Sequence, residues 1–146
     1  MWRISLLIVL LAMNLGCLGN RVPSNTARYE RTMTVTAYCD CKQCTGWKRN
    51  WRLQPVFAEG PNKGEKKKVG QTASGTKAKR GTIAADTKFY PFGTQMYVPG
   101  YGKGRVEDVG GAIKGDHIDL FFDDHDDALR WGRREMKVTI WSGRSG

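Results

Sequence analysis

Three aspartates that stand inside or at the end of short apolar runs constrain this chain more than any other feature. They are Asp86, Asp108 and Asp119, spaced 22 and then 11 residues apart within GTIAAD, VEDVGGAIKG and HIDLFF. Aspartate is depleted in β-strands and is rarely buried without a partner. Three of them in strand-like surroundings therefore indicate either a carboxylate site for acid/base chemistry or a set of turn caps that accept backbone hydrogen bonds.

The first residues of the chain predict export. Residues 1–16 read as a signal segment with Arg3 near its start and an apolar run after it, and Cys17 follows directly. The apolar run is too short for a comfortable transmembrane span. Cleavage and secretion, a lipoprotein with a lipid anchor on Cys17, and an uncleaved signal anchor all remain open. Each of them places the domain outside the cytoplasm, after a polar linker at residues 17–30.

The net charge of +10 is concentrated in the first half of the chain. Residues 21–80 hold 14 Lys and Arg against 4 Asp and Glu, whereas residues 81–146 hold 9 against 10. A basic half joined to an aspartate-rich half suggests a basic surface that binds an anionic polymer. That surface would be separate from the reaction site. The alternative is a solvated basic loop that only keeps the protein soluble.

Three cysteines, Cys39, Cys41 and Cys44, follow the first predicted strand in the arrangement CDCKQC. They could form one disulfide with a spare thiol, or they could be three ligands of a metal site. A structural zinc site would need a fourth ligand, and the candidates His117 and His125 are distant in sequence. The oxidising environment outside the cytoplasm favours a disulfide, and Cys39 with Cys44 is the less strained pair. No metal ligand is therefore assigned.

Apolar periodicity predicts six short strands and one helix. The strands are expected at residues 32–37, 82–86, 95–98, 105–109, 117–122 and 137–141, and the helix within 123–131. Residues 46–70 are expected to form a long basic loop, partly packed by its aromatic side chains. Six strands in a domain of this size fit a small closed barrel better than an open sheet with exposed edges.

Several short motifs, in fixed order over residues 33–141, resemble the bacterial three-aspartate (3D) domain family. The motifs are VTAYC, TASG, GTIAAD, YPFGT, VPGYG, VEDVGGAIKG, IDLFF and ALRWGRR. The resemblance implies a mainly β chain that forms a six-stranded double-psi β-barrel with one short helix over residues 31–142, with a basic insertion at 46–70. Such a barrel is similar to the catalytic barrels of membrane-bound lytic transglycosylase A and of the stationary-phase survival lytic transglycosylases.

The resemblance also implies an activity and a set of site residues. Those relatives cleave the β-1,4 bond between N-acetylmuramic acid and N-acetylglucosamine in peptidoglycan, and they leave a 1,6-anhydro-muramyl end. By the family pattern, Asp119 is the acid/base, and Asp86 and Asp108 tune its pKa or hold the sugar. Further residues implied in binding the sugar or its carboxylate are Thr72, Ser74 and Lys114.

These implications define the expected partners and the rival hypotheses. Peptidoglycan glycan strands are the expected partner of an exported, monomeric protein of the cell envelope that needs no cofactor. A binding module that keeps the groove but lacks turnover is the main alternative. Nucleic-acid binding would draw only on the charge of residues 63–80, and export argues against it.

Overall fold

The structure is a computed structural model that describes residues 27–142. The predicted signal segment, Cys17 and all but the last four residues of the predicted linker lie outside the described residues. Within residues 27–142, no helix has the length and apolar character needed to cross a membrane.

Strands make up most of the regular structure in the described part of the chain. Its elements are β1 (Ala27–Tyr38), α1 (Lys42–Thr45), β2 (Trp47–Arg49), β3 (Pro55–Phe57), β4 (Thr82–Ala84), β5 (Gln95–Val98), β6 (Gly102–Asp108), β7 (His117–Phe121), α2 (His125–Trp131) and β8 (Arg134–Ser142). Six of these strands close a barrel in the order β1-β7-β4-β6-β5-β8. The pairs β1–β7 and β4–β6 are parallel, and the other neighbours are antiparallel. The expected six-stranded double-psi β-barrel is confirmed.

The barrel interior takes every second residue of its strands, because successive side chains of a strand point to opposite faces. Val35, Ile83, Val106, Ile118 and Leu120 all point inward, and each is completely buried. Burying an aliphatic side chain of this size stabilises a fold by about 1.5–3 kcal/mol. The apolar positions that identified the strands in the sequence are therefore the ones that fill the core.

The outer face of the same wall carries a smaller cluster of buried side chains. Tyr38 at the end of β1, Ala84 on β4 and Phe121 on β7 pack together there, with Ala78 against them. The ring of Tyr38 meets the ring of Phe121 edge-on, with centroids 5.4 Å apart. This outer cluster is covered by the segment between β1 and β4, so the barrel wall is buried on both sides at this point.

β1 is longer than the sequence predicted. It begins at Ala27 instead of residue 32, because its first half pairs antiparallel with β8 from Ala27 opposite Ser142 to Val35 opposite Arg134. From Thr34 onward it also pairs in parallel with β7. The polar side chains at the start of β1 are exposed. That half therefore lacks the apolar alternation that marks a strand in sequence.

The insertion at residues 46–70 has structure of its own, in contrast to the long loop that was expected. β2 and β3 form an antiparallel pair in which Trp47 lies opposite Phe57 and Arg49 lies opposite Pro55. A one-turn helix, α1, precedes it, so the described chain holds two short helices where one was expected. Strands of three residues are too short to show a periodic pattern.

α2 begins two residues later than the predicted helical segment and is capped as its acidic start indicated. The side chain of Asp124 accepts hydrogen bonds from the backbone N–H groups of Asp126 and Asp127. Gly132 ends the helix with a positive φ of 65°. Trp131, the last residue of α2, is buried and packs on the barrel core, which fixes the last turn of the helix against the barrel.

Candidate active site

Asp108 and Asp119 lie on the two strands that flank β4, and both pair with Ala84. Side chains in register on neighbouring strands share a face of the sheet. Because Ala84 belongs to the outer cluster, both carboxyl groups lie on the outer face of the barrel. They line a groove of about 660 Å³ between the barrel wall and the segment that follows β1. Tyr38, Ala84 and Phe121 also line this groove.

Asp119 is half-buried in this groove and has a raised pKa. Its Oδ1 accepts a hydrogen bond of 2.7 Å from Oγ1 of Thr36 on the adjacent strand β1. Burial is the main cause that raises the pKa of Asp119, and the charge of Asp108 adds to it. The Thr36 hydrogen bond and the charge of His117 act in the opposite direction without reversing the shift. The carboxyl of Asp119 therefore keeps its proton to a higher pH than an exposed aspartate does.

A hydrogen-bonded chain connects Asp119 to His117 through Thr36. Oγ1 of Thr36 lies 3.0 Å from Nε2 of His117 as well as 2.7 Å from Asp119. The threonine hydroxyl has one proton, so when it donates to Asp119 it accepts from an Nε2–H of His117. The ring tautomer of His117 is thus linked to the charge on Asp119. Sequence reasoning did not select Thr36, although its place on the polar face of alternating β1 was a usable signal.

Asp108 is held by three hydrogen-bond donors. The Tyr38 hydroxyl donates to its Oδ2 at 2.8 Å, and the backbone N–H groups of Ala73 and Val109 donate to its Oδ1 at 2.9 Å each. Burial and the neighbouring Asp108 raise the pKa of Tyr38 far above its ordinary value. The phenol therefore stays a donor at every physiological pH, and the carboxyl of Asp108 is fixed in one orientation.

The TASG motif contributes to the site through its backbone. Oγ1 of Thr72 accepts a hydrogen bond from the N–H of Thr76 and lies 3.1 Å from Oγ of Ser74, so these side chains close the turn. Thr72 is buried, whereas Ser74 is exposed. Between them, Ala73 presents its N–H to Asp108. Sugar binding by Thr72 and Ser74 stays a prediction.

Asp86 lies in a turn away from the other two aspartates. Its Oδ2 accepts from the N–H of Gly115 at 3.1 Å and its Oδ1 from the N–H of Lys88 at 3.2 Å. These backbone hydrogen bonds lower its pKa, and the charge of Lys114 contributes. The structure brings Asp108 and Asp119 together at the groove and places Asp86 and Lys114 at the GGAIKG loop. Asp86 is not among the residues that line the groove, because it caps the loop that enters β7; its expected role in tuning Asp119 or holding the sugar stays a prediction.

Lys67 is a groove residue that sequence reasoning missed. It is half-buried, its ammonium donates to the backbone oxygen of Thr45, and it lies 4.8 Å from the ring centroid of Phe57. Burial lowers the pKa of Lys67, and the negative charge of Asp108 opposes that change. Residues 66–68 are all lysine, and nothing in such a run shows which side chain turns inward.

The structure holds Cys39, Cys41 and Cys44 as free thiols. Sγ of Cys39 lies 3.5 Å from Sγ of Cys44, far beyond the bond length of about 2.05 Å in a disulfide. The expected Cys39–Cys44 disulfide is thus not formed in this structure. His125 lies beside the three thiols, with Nδ1 within 3.6 Å of all three sulfurs.

Comparison with known proteins finds a family match over the part of the chain that holds Asp108 and Asp119. Residues 81–142 match the sequence profile of the 3D domain family. YabE of Bacillus subtilis strain 168, a protein named for cell wall shaping, is 40% identical over 75 residues, which cover 49% of this chain and 18% of that protein. The cell wall-binding protein YocH of the same organism is 43% identical over 58 residues, 40% of this chain and 20% of that protein. The matched part spans about a fifth of the length of either relative.

Among solved structures, the chain is similar to the lytic transglycosylase MltA of Escherichia coli. One MltA structure aligns at 24% identity with a TM-score of 0.41, over 49% of this chain and 27% of MltA. A structure of MltA with bound chitohexaose aligns at 22% identity with a TM-score of 0.42, over the same shares of the two chains. The stretch that matches the 3D domain family, residues 81–142, contains Asp86, Asp108 and Asp119.

Proposed function

We propose that the protein is a peptidoglycan lytic transglycosylase that acts in the cell envelope. It would cleave the β-1,4 bond between N-acetylmuramic acid and N-acetylglucosamine and form 1,6-anhydro-N-acetylmuramic acid. The observation that carries this proposal is Asp119, a half-buried carboxyl with a raised pKa that faces a groove beside Asp108. The 3D domain match and the cell wall names of the Bacillus subtilis relatives support the choice of substrate.

In the first step, the protonated carboxyl of Asp119 acts as a general acid. It transfers its proton to the glycosidic oxygen while the bond between that oxygen and C1 of the muramyl sugar breaks. The raised pKa enlarges the fraction of Asp119 that is protonated at a given pH, which favours this step. The carboxyl of Asp108, fixed by Tyr38, Ala73 and Val109 and lining the same groove, would stabilise the positive charge that develops on the sugar.

In the second step, the same group acts as a general base. The 6-hydroxyl of the muramyl sugar attacks C1, and its proton passes to the carboxylate of Asp119, which restores the acid. Glycosidases that add water need a second carboxyl as nucleophile or base. Here the attacking hydroxyl is already tethered to the sugar, so proximity replaces that group.

The basic insertion would contribute to binding rather than to the chemical step. Lys67 lines the groove opposite the barrel wall, and peptidoglycan carries carboxylates on its peptide stems. An ammonium in a half-buried site attracts such a group more strongly than an exposed lysine does, because the local dielectric is lower. Lys67 is therefore proposed as a contact for a stem carboxylate.

A cell-wall glycan-binding module without turnover is the second candidate. The name of YocH, a cell wall-binding protein that is 43% identical to this chain over 58 residues, favours it. Such a module would use the same groove and the same lysine. It would not depend on the protonation state of Asp119.

Mass spectrometry of sacculi digests separates the two functions. Sacculi are incubated with the wild-type protein, with Asp119→Asn and with Asp123→Asn, a control at an exposed acid just beyond β7. The transglycosylase predicts products lighter by one water than hydrated muropeptides, from the wild type and the control but not from Asp119→Asn. Binding to sacculi without such products from the wild type would support the binding module. Equal release by Asp119→Asn would show that the mechanism is wrong.

A further inference from the structure

A cluster of three cysteines and one histidine lies next to the groove but outside its acid/base chemistry. One ligand atom from each of Cys39, Cys41, Cys44 and His125 falls within 4.8 Å of the other three. Cys39 follows β1, Cys41 caps α1, Cys44 lies within α1, and His125 opens α2. Between 81 and 86 residues separate His125 from the cysteines, so only the fold brings the four together.

The distances in the cluster match those between the ligands of a tetrahedral metal ion. Nδ1 of His125 lies 3.6, 3.4 and 3.6 Å from the sulfurs of Cys39, Cys41 and Cys44, and the Cys39 and Cys44 sulfurs are 3.5 Å apart. Zinc bonds of about 2.3 Å to sulfur and about 2.0 Å to nitrogen at the tetrahedral angle give edges of about 3.6 Å (N···S) and about 3.8 Å (S···S). With all four ligand atoms within 4.8 Å of one another, this spacing is compatible with one ion bound by all four.

We propose that Cys39, Cys41, Cys44 and His125 bind one Zn²⁺ ion in a structural site. Three thiolates and one imidazole in tetrahedral array are a donor set that selects zinc among the abundant divalent ions. Because the protein supplies all four ligands, no position is left for water or substrate. The ion therefore has a structural role and takes no part in glycan cleavage.

The backbone around the cysteines has the form of a zinc-binding turn. Cys41 and Cys44 are separated by two residues, and the N–H of Cys44 donates to Sγ of Cys41 at 3.4 Å. Hydrogen bonds of this kind orient a ligand sulfur and stabilise its charge. Gly46 then turns the chain with a left-handed conformation at φ 54°. On the other side, the cap at Asp124 fixes the first turn of α2, which carries His125.

The ion would tie the end of β1 and the start of the insertion to α2, and so fix one wall of the groove. Asp40 and Thr45 lie between or next to the cysteines and line the groove. The backbone oxygen of Asp40 accepts a hydrogen bond of 2.9 Å from Nε1 of Trp47, and the backbone oxygen of Thr45 accepts from Lys67. Loss of the ion should therefore loosen the insertion and Lys67 while the barrel core stays folded.

Metal content and metal spectroscopy of the full chain test this site. The protein is purified without chelator, and zinc is measured by mass spectrometry for the wild type, Cys44→Ser, His125→Ala and His117→Ala. His117→Ala is the matched control, because His117 is the other histidine of the chain and bonds to Thr36 instead. We expect one zinc per chain in the wild type and in the control, and less than a tenth of that in the two ligand variants.

Replacement of zinc by Co²⁺ reports the ligand set without any variant. A tetrahedral site with three thiolates gives intense visible d–d bands and sulfur-to-cobalt charge-transfer bands in the near ultraviolet. Absence of zinc and cobalt binding by the reduced wild type, or equal zinc in wild type and ligand variants, would overturn the proposal. So would peptide mapping that finds a Cys39–Cys44 disulfide in the protein as purified. None of these outcomes depends on transglycosylase activity.

Discussion

Asp108 and Asp119 flank a single residue, Ala84, each one strand away from it. Neighbouring strands are about 4.8 Å apart, so the two Cα atoms are about 10 Å apart with carboxyl groups on the same face. A register shift between Ile83 and Ala84 places Asp108, instead of Glu107, opposite Ala84. The placement of the two carboxyl groups on one face therefore depends on this register irregularity as much as on the presence of two aspartates.

The first prediction concerns the stability of Asp119→Asn as a function of pH. A carboxyl with a raised pKa in the folded state binds its proton more tightly there than in the unfolded chain. Its ionisation destabilises the fold as pH rises from the ordinary aspartate pKa through the raised value, at about 1.4 kcal/mol per pKa unit. Asn keeps an acceptor for Thr36 and carries no charge.

We therefore expect Asp119→Asn to be more stable than the wild type at pH 7 and equally stable at pH 3, measured by urea unfolding. Asp123→Asn serves as the control, because that carboxyl is exposed. A stability difference between Asp119→Asn and the wild type that does not change with pH would contradict the raised pKa.

The second prediction concerns the hydrogen bond from Tyr38 to Asp108. Tyr38→Phe removes the hydroxyl but keeps the ring that packs on Phe121. A buried hydrogen bond to a charged group is worth about 1.5–3 kcal/mol, so we expect a loss of that order in the free energy of unfolding. Tyr97→Phe, at a half-exposed ring on β5, should change it by less than about 0.5 kcal/mol. Equal effects of the two changes would mean that the hydroxyl of Tyr38 contributes nothing.

The third prediction separates Lys67 from its neighbours in the lysine run. Lys67→Gln should weaken binding to sacculi about two- to fivefold at low salt. This factor corresponds to the binding free energy that one partly screened ion pair contributes. Lys66→Gln, an exposed neighbour, should have a smaller effect. Co-sedimentation at increasing NaCl measures both, and the difference between them should shrink as salt screens the charges. An equal loss from Lys66→Gln would indicate a diffuse basic surface instead of a specific contact.

The fourth prediction assigns Asp86 a structural role. Because backbone hydrogen bonds hold the pKa of Asp86 below its ordinary value, its charge stabilises the fold above the ordinary aspartate pKa. That contribution is lost as pH falls through the lowered value. Asp86→Ala should therefore have a lower Tm than the wild type at pH 7, and the difference should decrease in acid.

Below its Tm, Asp86→Ala should still release anhydro-muropeptides if the wild type does. The Tm is measured by circular dichroism, and the products by mass spectrometry at the same temperature. A folded Asp86→Ala protein that makes no product would show that Asp86 acts on the substrate after all.

The fifth prediction uses two glycines to test barrel packing. A Cβ on Gly104 in β6 would lie 2.6 Å from Cδ1 of Ile83 and 2.8 Å from the backbone oxygen of Gly81. Overpacking of this kind costs about 1–3 kcal/mol, so Gly104→Ala should lower the free energy of unfolding by that amount. Gly111→Ala, where a Cβ meets no atom within 4 Å, should be nearly neutral. A neutral Gly104→Ala would mean that β6 and β4 are less tightly packed than described.

The sequence predicted the barrel strands because their inward residues alternate with polar ones, as in Ile118, Asp119 and Leu120. It did not predict the first half of β1 or the hairpin of β2 and β3. Those segments are held by pairing with a distant strand or with each other, and their side chains are largely exposed. Backbone pairing leaves no pattern in a sequence unless one face is also buried.

The sequence by itself determined that the chain forms a small mainly β barrel and that Asp108 and Asp119 stand at the ends of its apolar runs. Only the tertiary structure decided which groups meet. It joined Asp119 to Thr36 and His117, turned Asp86 into a loop cap, and brought His125 to three cysteines more than 80 residues away. The physical reason is that hydrophobic patterning reports which face of a strand is buried. The order of strands around the barrel, which sets side-chain neighbours, is fixed by long-range pairing that no local pattern contains.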